Sequence, residues 1–206
     1  MSIFSTLSQK PWMADQALVD NEHMGKSMTL SLRKATLFLL LIVIAILFTL
    51  FSVAYIGRMA YGDWRTLPEP LLLWWNTAIM VFSSFSFYRA NVNADHNNIK
   101  KTRIYLLVSG ALTISFIVGQ LFVWRELISF GYFVSTNPSY GFFYLLTALH
   151  ILHLLGGLIA WLVVTLKSFT LKNDPANFAL KVNLCAIYWH FLLIVWAFLF
   201  VMLLLT

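Results

Sequence analysis

Between Lys34 and Arg58 no charged side chain interrupts the chain. At about 1.5 Å per residue, a helix over 35–57 reaches across the roughly 30 Å hydrocarbon core of a bilayer. Four more uncharged stretches follow, at 70–88, 104–124, 140–166 and 182–205. A backbone in hydrocarbon must satisfy its own polar groups, which helices do. The sequence therefore predicts an all-α, polytopic membrane protein: a five-transmembrane-helix bundle over residues 35–206, preceded by a cytoplasmic N-terminal leader, 1–34. The first stretch starts too late and runs too long for a cleaved signal peptide. Pro68 and Pro70 open the second, where a missing N–H costs least. Gly131, Asn137, Pro138, Ser139 and Gly141 mark a loop ahead of the fourth.

Composition agrees: 60% of the chain is hydrophobic and 11% charged, which excludes a soluble monomer. The net charge of +6 would suggest nucleic acid on a soluble chain, but its distribution gives another reason. Lys10, Lys26, Arg33, Lys34, Arg89, Lys100, Lys101, Arg103, Lys167, Lys172 and Lys181 fall on the N-terminal side of the five spans. Only Arg58, Arg65 and Arg125 fall on the other. The positive-inside rule then puts the N-terminus in the cytoplasm and the C-terminus outside in a multi-pass protein. No nucleic-acid partner is needed. The lone Cys185 offers neither an internal disulfide nor a thiolate cluster.

No Asp, Glu, Lys or Arg lies inside a span, whereas pumps and ion carriers usually rest on such residues. The polar residues that remain are neutral. Asn76 and Ser83, like Thr77 and Ser84, are seven apart on the second span; Ser109, Thr113 and Gln120 form a ridge on the third. Helix-to-helix bonding is the expected role, with a channel lined by the Asn76 and Gln120 ridges as the weaker alternative. Span four aligns Phe143, Thr147, His150, His153 and Gly157 on roughly one face, and span five adds Asn183 and His190. Neutral imidazoles bonded to neighbouring helices, with Thr147 and Asn183 as nearby partners, are one reading. A haem-binding membrane electron carrier using His150 or His153 with His190 is another. Trp74, Trp75, Trp124, Tyr140, Trp189 and Trp196 read as interface belt or packing.

Trp75-Asn76-Thr77, then Ser83-Ser84 and Gln120, resemble subunit III of the haem-copper oxidases. The stretch from Phe142 to Gly157, with its paired phenylalanines, Thr147, His150 and His153, is similar to that family's signature. Tyr188-Trp189-His190-Phe191 with Val195-Trp196 looks like its last helix. The likeness runs from about residue 35 to the C-terminus and is to the five-helix bacterial form, which implies the bacterial cytoplasmic (inner) membrane. It implies a non-catalytic subunit without catalytic, metal or cofactor-binding residues, which packs on subunit I (and II), where haem and copper reside. It also implies bound phospholipid, with Lys167 and Lys172 at the head groups, and support of proton uptake in aerobic respiration. A homologous accessory subunit of a nitric oxide reductase is an alternative within the family. Three carboxylates usual in the family are absent: the region 42–44 is apolar, and Val123 and Leu193 stand at the other two positions. Ala148 and Ile151 replace glycines of the signature.

Overall fold

The computed structural model describes residues 32–66, 70–170 and 175–205. Among them are five α-helices and no strand: α1, Leu32–Met59; α2, Leu71–Asp95; α3, Ile99–Ser129; α4, Pro138–Thr170; and α5, Pro175–Leu204. All five are long and apolar enough to cross a membrane. Most of the leader, together with Pro68 and Lys172, lies outside the described residues. The chain divides into two compact units. The first, 1–38, contributes the opening turns of α1; the second, 39–206, holds the packed helices.

The helices outrun their uncharged stretches. α2 continues through Arg89 to Asp95, and α3 starts before Lys100 and runs past Arg125 and Glu126. Helical hydrogen bonding is as available in the headgroup region as in the core, so a charge ends the apolar run without ending the helix. What stops these helices is backbone geometry. After α2, Asn97 takes a left-handed φ of 55°, with Asn98 N bonded to Asn93 O and Asn97 N to Ala94 O. Gly131, at φ 86°, closes α3 in the same way through Tyr132 N to Leu127 O and Gly131 N to Ile128 O. Both are Schellman ends, which need a residue that tolerates positive φ. Asn98 then caps α3 by accepting from Lys101 N at 3.3 Å. Asn137 does the same for α4, accepting from Ser139 N at 3.0 Å with Pro138 in the first helical position.

Helices α2 and α3 approach closely where buried small residues of α2 meet the α3 backbone, Ser83 at Ser109 O and Ser86 at Tyr105 O. Helix α1 packs at longer range. None of its Cα atoms lies within 8 Å of a Cα in another helix among the described residues. Ile44, Phe48 and Tyr55 bridge that distance, reaching a cluster with Leu146 of α4 and Val195, Leu199 and Met202 of α5. Its opposite face, with Leu39, Ile42, Val43, Ile46, Leu50 and Val53, is exposed and suits contact with lipid chains.

Candidate functional site

The polar ridge of α2 is buried and turned onto α3 and α5. Ser83 Oγ pairs with Thr113 Oγ1 at 2.9 Å and lies 3.1 Å from Ser109 O, while Ser86 Oγ donates to Tyr105 O at 2.8 Å. Asn76 Nδ2 donates to Gln120 Oε1 at 3.4 Å, and the Asn76 amide rests directly on Gly119, where a Cβ would come 2.1 Å from Oδ1. Both amides are fully enclosed. One N–H and one carbonyl oxygen of the pair are spent on each other, while Asn76 Oδ1 and Gln120 Nε2 find no protein partner.

Three hydroxyls repeat one device. Thr77, Thr113 and Thr147 each give their proton to the carbonyl four residues back, at 2.9, 2.9 and 2.7 Å. The hydroxyl oxygen still accepts an indole N–H from another helix: Trp196 to Thr77 at 3.1 Å, Trp189 to Thr113 at 3.0 Å and Trp124 to Thr147 at 3.1 Å. Back-bonding fixes the hydroxyl, so the acceptor is aimed before the tryptophan arrives. A fourth bridge, Trp161 Nε1 to Leu106 O at 2.8 Å, lays the indole over Gly110. Sequence reasoning did not single out Trp161, Gly110 or Gly119. Their signal was a glycine on the α3 face that also carries Ser109, Thr113 and Gln120.

The histidines differ from the partners expected of them. His153 Nδ1 donates to Leu149 O of its own helix at 2.7 Å, and His190 Nδ1 pairs with Ser84 Oγ at 2.5 Å. Thr147 is occupied by Trp124, and Asn183 is half-buried without bonding a histidine. His150 is wholly buried, its ring packed 5.2 Å from Trp196, 5.9 Å from Phe116 and 6.4 Å from Phe48. A porphyrin would reach it only by displacing those rings. Gly157 lets α4 close on α5, where a Cβ would meet Tyr188 at 2.7 Å and Trp189 at 3.0 Å. Tyr188 Oη donates to His153 O at that same contact, 2.9 Å.

Two edge contacts set the sides of the bundle. Arg103 at the start of α3 donates to Ser168 O at the end of α4 at 2.7 Å and lies 3.9 Å over the Phe169 ring. Lys167 is exposed beside it on the last turn of α4. At the other end Asn137 Nδ2 donates to Asp63 O at 2.7 Å, and Arg58 holds the Asp63 carboxylate at 2.7 and 2.5 Å. That guanidinium pulls the Asp63 pKa below its ordinary value through the side-chain hydrogen bond, against a smaller desolvation effect. Beyond it, Leu72, Phe122, Arg125, Glu126 and Ser129 line an open groove of about 450 Å³.

Five membrane-crossing helices whose intramembrane hydroxyls and indoles bond helix to helix define a multi-pass membrane protein built around a cross-linked polar core. Residues 65–205, more than half the chain and covering α2 to α5, match the family described as cytochrome c oxidase subunit III. The chain is 30% identical over 155 residues to the probable cytochrome c oxidase subunit 3 of Mycobacterium tuberculosis, covering 73% of this chain and 76% of that protein. It is 31% identical over 158 residues to the cytochrome bo(3) ubiquinol oxidase subunit 3 of Buchnera aphidicola, covering 74% and 79%. The chain belongs to the cytochrome c oxidase subunit III family and is a terminal oxidase subunit III, part of a multi-subunit complex.

Proposed function

We propose that this chain is the non-catalytic subunit III of a bacterial haem-copper oxidase and braces the catalytic subunit I, alongside subunit II, in the cytoplasmic membrane. Haem and copper reside in those partners, and electron transport passes through them. The observation that carries this reading is how the polar groups in the spans are used. Thr77, Thr113 and Thr147 are each committed to a tryptophan of another helix, Ser84 to His190, and Asn76 to Gln120. Such a core holds a shape and presents apolar outer faces to a neighbour or to lipid.

The basic ends of α2, α3 and α4, with Arg89, Lys100, Lys101, Arg103 and Lys167, favour a cytoplasmic N-terminus and an external C-terminus. Lys167 and Lys172 on that side suit phospholipid head groups. Support of proton uptake is then indirect. Val123, at a position where the resemblance places an acid, is an enclosed apolar side chain packed with Leu127, Phe116 and Tyr144. Bracing subunit I and retaining lipid at its flank are the means left to such a chain. Removing the chain tests this: oxidase in deletion membranes should keep its haem spectrum while turnover per haem falls or decays faster. Loss of haem from an otherwise assembled subunit I, restored only by this chain's histidines, would overturn it.

A further inference from the structure

Several enclosed polar atoms lack partners, Asn76 Oδ1 beside Gln120 among them, and two of the side chains concerned, Gln120 and His150, lie on the facing helices α3 and α4. Neither ring nitrogen of His150 on α4 nor Nε2 of Gln120 on α3 makes a hydrogen bond, although both residues are 0% exposed. Buried polar atoms are rarely left so, because each unmet group costs about 1–3 kcal/mol.

The two side chains are at one level. Helices α3 and α4 run antiparallel, tied by Arg103 to Ser168, Trp161 to Leu106 and Trp124 to Thr147. In the register those three contacts set, Gln120 falls opposite His150. Along α3, Gln120 sits one turn from Trp124, which bonds Thr147, and one turn from Phe116, whose ring lies 5.9 Å from that of His150. Gln120 Oε1 already accepts from Asn76, so its Nε2 protons are what remain.

The donor and acceptor inventory then identifies the missing ligand. A carboxamide N–H needs an acceptor, and a neutral imidazole needs a donor at its unprotonated nitrogen. Water supplies both at once and is small enough for an enclosed polar site. The other ring nitrogen is left with the rings of Phe48, Phe116 and Trp196, which are weak acceptors.

We propose that one ordered internal water molecule is bound between Gln120 Nε2 and a ring nitrogen of His150, accepting from the former and donating to the latter. The bridge joins α3 to α4 at mid-core and fixes the tautomer and rotamer of His150, so this histidine acts as a structural water ligand.

The test is a cryo-EM map of the native assembly in lipid nanodiscs, at a resolution where ordered waters are visible. The expected result is a peak within hydrogen-bonding distance of both atoms. A direct Gln120–His150 contact, or well-ordered side chains with no peak between them, would overturn the proposal. A double-mutant cycle gives a second reading. Gln120→Leu and His150→Phe should each lower the thermal midpoint of the assembly, and the double variant should lose less than the sum of the two. Additive shifts would contradict the bridge, and the map of the unmodified chain decides the matter if a variant fails to assemble.

Discussion

Trp196 of α5 donates its indole N–H to Thr77 Oγ1 of α2 across 3.1 Å, and Thr77 passes its own proton to Leu73 O. The indole is almost wholly buried, and the Phe116 ring meets it edge-on at 4.9 Å. Thr77 is the partner of that enclosed N–H, so the threonine holds α2 onto α5.

Replacing Thr77 with Val keeps the shape and removes the acceptor. The orphaned indole should cost about 1–2 kcal/mol, near the top of the range for single interhelical bonds in membranes. Thr77→Ser should cost less than about half of that, since the hydroxyl stays. Thermal unfolding of the purified complex in one detergent gives the comparison; equal losses for both variants would mean that the methyl group, not the bond, matters.

Gly156 and Gly157 are neighbours in sequence with opposite surroundings. A Cβ on Gly157 would enter the Tyr188 and Trp189 rings, whereas one on Gly156 would meet nothing within 4 Å. Gly157→Ala should therefore destabilise by about 1–3 kcal/mol through overpacking. Gly156→Ala should be neutral or slightly stabilising, with an upper bound of about 1 kcal/mol from helix propensity. Expression level and thermal midpoint of the two variants, measured side by side, check this.

How far the sequence could be read follows the same division. Absence of charge located all five helices, because uncharged runs of about twenty residues satisfy their own backbone in hydrocarbon as helices. It missed their ends, since Arg125 and Glu126 ride on α3 beyond the slab and the stops depend on φ at Asn97 and Gly131. Spacing placed Thr77, Thr113 and Thr147 on packed faces, but pairing each with its tryptophan requires the rotation of every helix about its axis. Periodicity does not carry that rotation. His150 and His153 are three residues apart, close enough to share a face by spacing, yet one is sealed among aromatic rings and the other is half-exposed and bonded to its own helix.

Lysine substitution tests the lipid edge. Each juxtamembrane cation contributes about 1 kcal/mol near an anionic leaflet, roughly a fivefold change in occupancy. Native mass spectrometry of a Lys167→Ala, Lys172→Ala variant should show a marked loss of retained anionic phospholipid. Retention equal to that of the unmodified chain would remove these two lysines from the site.

The loop pair Arg58–Asp63 titrates in a defined direction. A carboxylate held below its ordinary pKa keeps its partner at pH values above that ordinary range and releases it only as pH falls through the lowered value. Selective 13C NMR of the Asp63 carboxyl should give a midpoint below 3.8, moving back up in an Arg58→Gln variant. A midpoint unchanged by that substitution would show that the guanidinium is not the cause.

Affinity purification of this chain from native membranes, with the neighbouring chains identified and the absorption spectrum recorded, tests whether it braces a haem-bearing partner or carries haem itself. The expected result is equimolar recovery with a haem-copper catalytic subunit and a haem spectrum that leaves with that subunit when the two are separated. Recovery of this chain alone, or a Soret band that stays with it and vanishes on His190→Ala, would overturn the bracing role.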